Sequence, residues 1–168
     1  QRAFIFPWLI KGKSRMPVLI MLMGIIFNLA NAFMQGQWIF FLAPPEMYTE
    51  SWLGDPRFLA GTALFITGLV INIRSDGIIR NLRQEGDTNH YLPEKGLFRY
   101  VTSANYFGEI IEWMGFAVLT WSLSGFVFFL WTFANLVPRA HAIYKRYENE
   151  FSTEMIRDPR KRIFPFIY

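Results

Sequence analysis

Residues 102–113 read Thr-Ser-Ala-Asn-Tyr-Phe-Gly-Glu-Ile-Ile-Glu-Trp, and within this apolar stretch Thr102, Asn105, Glu109 and Glu112 recur at i, i+3, i+7 and i+10. That spacing places the four polar side chains on one face of a helix. Upstream, Asn72, Asp76, Arg80 and Arg83 recur at i, i+4, i+8 and i+11 and form a second such face. A carboxylate held in hydrocarbon costs roughly 3 kcal/mol even on the gentler scales, so charged faces inside apolar segments mark a wet cavity or a binding site.

The setting of these faces is apolar. The chain has 168 residues, of which 52% are hydrophobic, 18% aromatic and only 18% charged, a composition that a soluble domain does not have. Four apolar runs stand out: Pro17 to Leu42, Phe58 to Ile73, Val101 to Leu119 and Gly125 to Val137. A bilayer crossing needs about 20 residues, so the second run is expected to extend past Asp76 and the fourth to continue through Ala142. The predicted fold class is all-α, a polytopic membrane helix bundle with four spans in this chain.

Charge sorting supports the same reading. Arg57 stands alone in the loop 43–57, while the other sixteen of the seventeen Lys and Arg fall before the first run, between the second and third, or after the fourth. By the positive-inside rule those segments are cytoplasmic, so both ends of this chain face the cytoplasm, in an endoplasmic reticulum or a bacterial inner membrane. A soluble bundle requires no such sorting, and the net charge of +4 is therefore topological rather than a sign of nucleic-acid binding. The absence of cysteine excludes disulfides and thiolate metal sites. Gln1 to Leu9 is aromatic and reads as the exit of an earlier span, with no signal-peptide pattern.

Familiar soluble-enzyme signatures are missing. There is no G-x-G-x-x-G after a strand, no P-loop, no H-E-x-x-H and no G-x-S-x-G, so a ligand site has to come from the helices and their cytoplasmic loops. Asn72 and Asp76 one turn apart, followed on the same face by Arg80 and Arg83, offer acceptors for ribose hydroxyls and guanidinium forks for phosphate. Arg74 reads as a snorkelling residue at a cytoplasmic helix end. Glu109 is placed to accept hydrogen bonds from a ligand amide or hydroxyl, and Glu112 to border the substrate cavity or to form a structural ion pair. A di-metal bundle would need Glu-x-x-His pairs, and His90 and His141 do not supply them, so no metal is expected. In the first run Asn28, Asn31 and Gln35 make a neutral stripe that reads either as glue between helices or, for Asn31 and Gln35, as cavity lining. The loop from Gln84 to Gly96 carries His90 and Tyr91, and the basic, aromatic tail from Pro138 to Tyr147 reads either as an interfacial helix on anionic lipid or as the phosphate end of the cavity.

At these residues the chain resembles the steroid 5α-reductase family over nearly its whole length. The resemblance rests on Asn31-Ala32-Phe33-Met34-Gln35-Gly36, Asn72-Ile73-Arg74-Ser75-Asp76 with Arg80 and Arg83, Gly96-Leu97-Phe98, Ser103 to Trp113, and the closing Pro165-Phe166-Ile167-Tyr168. It implies a seven-helix membrane enzyme that uses NADPH to reduce the 4,5 double bond of a 3-oxo-Δ4 steroid, with hydride going to C5 and a proton to C4. By the same resemblance Asn72, Asp76, Arg83, Asn105, Glu109 and Arg139 bind cofactor, with Tyr147 a further candidate and Glu109 addressing the nicotinamide carboxamide; Arg80 joins them by its place on the same face, and Asn31, Gln35 and Glu112 are read as bordering the substrate cavity. The Tyr and Glu that polarise the C3 carbonyl fall on three helices upstream of Gln1, which are partners this chain requires. Two departures from the family pattern are His90-Tyr91, where a Tyr and a basic residue are common, and Ile143, where a His is common with His141 two positions earlier. Enoyl-CoA and polyprenol reductases share the architecture. An isoprenylcysteine-type S-adenosylmethionine methyltransferase and a non-catalytic lipid-binding protein are readings of other classes, neither of which needs the paired arginines below Asp76.

Overall fold

The computed structural model describes residues 17–82, 87 and 89–168; Arg83, among the expected site residues, and the aromatic stretch Gln1 to Leu9 lie outside them. Helix α1 spans Val18–Gln37 and continues through one π-helical turn, Trp38–Leu42. A 3-10 turn at Glu50–Gly54 leads into α2, Pro56–Arg80, and a second at Gly96–Arg99 precedes α3, Ala104–Thr120. Helix α4, Leu123–Glu150, and the short α5, Ser152–Arg157, complete an all-α bundle in which the one β-type contact among the described residues is a parallel bridge between Val101 and Lys161.

The termini of α2 and α4 are set by side chains that catch their first amides. Asp55 caps α2 by accepting from the Arg57 amide at 2.8 Å, with Pro56 in the first turn. Ser122 caps α4 by accepting from the Gly125 amide at 2.9 Å. The α3–α4 connection is tight because Trp121 takes a left-handed backbone, φ 46°, directly after α3, which forces the two helices antiparallel.

Three helices are long and apolar enough to cross a membrane: Met21–Leu42, Pro56–Arg80 and Leu123–Glu150. The second and fourth expected runs are both longer than their apolar cores. α2 continues to Arg80, and α4 continues through Pro138, which costs it one backbone hydrogen bond but does not end it. The third expected run is shorter: Val101 belongs to the bridge, and the 17 residues of α3 rise about 26 Å, a little under the hydrocarbon thickness.

Backbone-to-backbone contact between α2 and α3 organises everything else. Gly61 and Gly68 on α2, and Gly108 and Gly115 on α3, are all buried and are each seven residues apart on their helix. A Cβ at Gly68 would land on the backbone of Glu112, one at Gly61 on Leu119, one at Gly115 on Phe65, and one at Gly108 2.6 Å from the Asn72 nitrogen. In lipid, helices gain little by hiding apolar surface from one another, so this close approach and the dispersion it permits are what join them.

The C-terminal segment then clips onto the start of α3. Lys161 donates its amide to Tyr100 O at 2.8 Å, and its own carbonyl accepts from Thr102 at 2.9 Å; the Arg162 carbonyl accepts from the Ser103 amide at 3.1 Å and from Thr102 Oγ1 at 3.0 Å. Ile163 is thereby buried against Ile110, Leu136 and Ala140, while Phe98, Val101 and Ala104 form a second small cluster beside the loop. The closing aromatic stretch thus docks on the bundle through Ile163 and Phe164 and leaves Phe166 and Ile167 exposed.

Alanine normally stabilises a helix interior relative to glycine by roughly 1 kcal/mol. At Gly68 the sign is reversed, since the added methyl must push the facing backbones apart at a cost of about 1–3 kcal/mol, or several degrees in thermal midpoint. Gly68→Ala is therefore expected to lower the midpoint in detergent, while Gly54→Ala, with nothing within 4 Å, leaves it in place; a Gly68→Ala protein as stable as wild type would contradict the interlock. Hydrogen bonds from the Arg57 side chain hold the Asp55 carboxyl down from 3.8 to about 2. A depressed carboxylate contributes stability that is complete above its unfolded value and is lost as pH falls through its folded value. Between about pH 4 and pH 2, then, the midpoint of wild type is expected to fall more steeply than that of Asp55→Asn.

Candidate functional site

The two polar faces read from the sequence meet. Asn72 and Asp76 are 5% and 7% exposed on α2, and the residue between them on that face, Ser75, is buried as well. Asn72 Nδ2 donates to the backbone carbonyl of Asn105 at 3.3 Å, and Asn105 Nδ2 donates to Asp76 Oδ1 at 3.2 Å. Gly108 lies one turn beyond Asn105 and touches the Asn72 backbone, so the glycine interlock itself sets this register. A buried carboxylate held by one neutral amide keeps further acceptor positions for a ligand.

Along α3 the face continues inward with Glu109 and Glu112, both half-buried. Successive steps of four and three residues carry these carboxylates about 6 and 10 Å beyond Asn105 along the helix axis. Arg80 occupies the last turn of α2, half-buried, with a terminal nitrogen beside Gly77. Together these side chains offer carboxylate and amide acceptors inside and a guanidinium at the mouth.

Helix α4 brings the remaining residues. Leu136 and Ala140 pack on Ile110, which places Arg139 at the level of Glu109, with its side chain exposed. Tyr147 lies two turns further, half-buried and edge-on to Phe151 with ring centroids 5.9 Å apart. His141 does not stand in for a histidine at position 143, because two residues turn a helix through about 200°. Its Nδ1 is buried without a hydrogen-bond partner among the described residues, while Ile143 is half-buried.

Asn31 and Gln35 lie at the other end of the bundle. Gln35 Nε2 donates to Asn31 Oδ1 at 3.2 Å and to Ser124 O at 3.1 Å, and Ser124 Oγ donates back to Gln35 Oε1 at 2.8 Å. This bonding ties α1 to the start of α4, beside the end of α3, about 22 Å from Asn105 by helical rise. Asn28, further up α1, turns inward on its own helix and donates to Gly24 O at 2.7 Å. The same end of the bundle is sealed by Tyr48 donating to Thr120 O at 2.7 Å and Trp52 Nε1 to Leu119 O at 3.1 Å.

Loop residues show their own order. His90 Nδ1 lies 3.1 Å from Glu150 Oε2, linking the loop to the end of α4, and Tyr91 donates to Asp87 Oδ2 at 2.7 Å. Tyr100 packs against Phe166 with ring centroids 5.4 Å apart and the rings tilted by 49°. Arg160, which sequence reasoning passed over, is 6% exposed and anchors the same loop by donating to the Pro93 carbonyl. The spacing of seven between glycines was a readable signal of the interlock; nothing in the local pattern marks Arg160, whose partner is 67 residues away.

Comparison with known proteins agrees with this architecture. The family profile described as 3-oxo-5-alpha-steroid 4-dehydrogenase matches residues 14–168. The chain is 42% identical over 167 residues to 3-oxo-5-alpha-steroid 4-dehydrogenase 1 of Bos taurus, covering 99% of this chain and 63% of that protein. The Homo sapiens protein of the same name is 44% identical over 167 residues, with 62% of it covered. Steroid 5-alpha-reductase DET2 of Gossypium hirsutum is 43% identical over 152 residues, which cover 90% of this chain and 58% of that protein. The chain thus spans a little under two thirds of the length of these relatives. With its profile matched from residue 14 to its last residue, the chain belongs to the 3-oxo-5-alpha-steroid 4-dehydrogenase family.

Proposed function

We propose that this chain forms the cofactor-holding portion of an NADPH-dependent reductase that saturates the 4,5 double bond of 3-oxo-Δ4 steroids. The observation that carries the reading is the hydrogen-bonded junction of Asn72, Asn105 and Asp76, a buried carboxylate with acceptor capacity to spare at the mouth of a helix pair. The names of the relatives, which are steroid 5-alpha-reductases and 3-oxo-5-alpha-steroid 4-dehydrogenases, support it.

The residues present suit a dinucleotide. Asp76, oriented by Asn105, accepts from sugar hydroxyls, and Arg80 at the end of that face, together with Arg83 three residues on in the sequence, meets phosphate. Glu109, one turn further in, accepts from a carboxamide and so fixes which face of a nicotinamide ring looks toward the steroid. Arg139 and Tyr147 close the α4 side, and Glu112 borders the steroid. Bound NADPH supplies the hydride that reaches C5, and a proton adds at C4. The groups that polarise the C3 carbonyl come from helices preceding Gln1. Asn31 and Gln35 line the far end of the steroid space from α1. In the cell the active unit is an integral membrane protein whose cofactor enters from the cytoplasm.

The test uses the protein extended by its upstream helices, purified in detergent and assayed for 5α-product from testosterone or progesterone. NADPH-dependent product is expected, and the absence of turnover on every 3-oxo-Δ4 steroid would overturn the reading. Two variants refine it. Glu109→Gln keeps shape and removes charge, so it is expected to lower kcat/KM by about 10- to 100-fold while the thermal midpoint stays within a few degrees; joint loss of folding and activity would make Glu109 structural. Arg83→Ala is expected to weaken NADPH by about tenfold or more and NADH less, because the 2′-phosphate is the group that differs between them. Equal NADPH affinity in titrations of the two proteins would remove Arg83 from the site.

A further inference from the structure

A second cationic site lies on another face of α4. A cavity of about 490 Å³ opens between that helix and the C-terminal segment, lined among others by Tyr144, Arg160, Lys161, Arg162 and Tyr168, with no Asp or Glu in its wall. The Arg162 guanidinium lies 5.1 Å from the Tyr144 ring centroid and 4.5 Å from that of Tyr168. Its Nε is buried and, among the described residues, has no hydrogen-bond partner, and no carboxylate there pairs with the guanidinium. Arg160 is engaged with the Pro93 carbonyl and carries its own buried, unpartnered Nε. A guanidinium lying over two aromatic rings, with a buried Nε unspent and a lysine beside it, suits an anion with several oxygens.

This is not the cofactor face. Tyr144 is five residues from Arg139, about 140° around α4, and shares the side of Ala140 that packs on Ile163. The cavity is built by the last turn of the chain. Phe166 adopts φ 68°, and the amides of Ile163 and Phe164 both donate to the backbone oxygen of Tyr168 at 2.8 Å, folding the Tyr168 ring back over Arg162. The turn also pushes Phe166 and Ile167 outward, 79% and 81% exposed. Large apolar side chains held out in this way beside a cationic pocket match the boundary between headgroups and acyl chains.

We propose that Arg162, with Lys161 beside it and Tyr144 and Tyr168 on its faces, binds the phosphate of an anionic phospholipid whose acyl chains lie against Phe166 and Ile167. The membrane would then act on the segment that clips α3 in place, since the Lys161 and Arg162 carbonyls hold Thr102 and Ser103.

The extended protein in detergent is titrated with dioleoylphosphatidylserine or dioleoylphosphatidylcholine, and lipid retention is read by native mass spectrometry. Wild type is expected to retain the serine lipid in preference, and Arg162→Gln and Lys161→Gln each to lose about fivefold in that retention. Arg162→Lys, which keeps charge without the planar stack, is expected to fall between. Equal retention in wild type and both Gln variants overturns the proposal. Should Arg162→Gln fail to fold, Lys161→Gln decides, because its side chain is exposed and retention at the wild-type level refutes the site. Sodium phosphate that raises the thermal midpoint of lipid-free wild type but not of Lys161→Gln, with no preference between the two lipids, makes the ligand free phosphate and also refutes the lipid assignment.

Discussion

The contact on which the rest of this structure depends is the glycine interlock between α2 and α3. Two helices whose backbones touch at Gly61, Gly68, Gly108 and Gly115 cannot slide or rotate without collision, so their register is fixed to within a fraction of a turn. That rigidity lets a neutral amide, Asn105, hold the carboxylate of Asp76, with no arginine paired to it among the described residues. A charge-paired aspartate would have its acceptor positions spent. An amide-held aspartate in a pre-set position keeps them, and the cost of burying it is met by the packing energy of four small residues rather than by a counter-ion.

The start of α3 is the second place where position is imposed from outside. Its first residues follow a loop and carry amides with no partner inside the helix, and such an end frays in isolation. The C-terminal segment prevents this by pairing Lys161 and Arg162 with Tyr100, Thr102 and Ser103, and Arg160 reaches beneath to the Pro93 carbonyl. Residues separated by some sixty positions thus stabilise Asn105 indirectly. The junction of Asn72, Asn105 and Asp76 is therefore maintained from two directions, by helix packing from α2 and by the returning chain.

The polar faces were legible in the sequence because a helical period leaves a mark whenever charge is rare: Asn72 with Asp76, and Asn105 with Glu109, were assigned to helix faces from spacing alone, and Asn72, Asp76 and Asn105 now touch. The extent of α4 was less legible. Pro138 and the charges after it look like an end, yet a helix leaving the membrane needs no apolar sequence to continue, only favourable residues such as Ala140, Ala142 and Lys145. Gln35 was ambiguous because an amide serves equally as glue and as ligand contact, and its partner, Ser124, is 89 residues distant. The interlocking glycines were not picked out from the sequence. Their period of seven carried the information, but glycine is common in membrane helices and a period of two repeats is a faint signal.

The two ends of the bundle solve opposite problems with different chemistry. At one end Thr120, Ser122, Ser124, Gln35 and Tyr48 bond to one another and to helix-end carbonyls, and no charged group joins that chain of bonds among the described residues. Neutral partners that satisfy each other hold the helix ends together without a buried charge. At the other end Asp76, Glu109, Glu112, Arg80 and Arg139 are all ionisable, and they sit around a helix pair whose register glycine contacts have already fixed. Ionisable side chains at one end and neutral closure at the other give the bundle a direction.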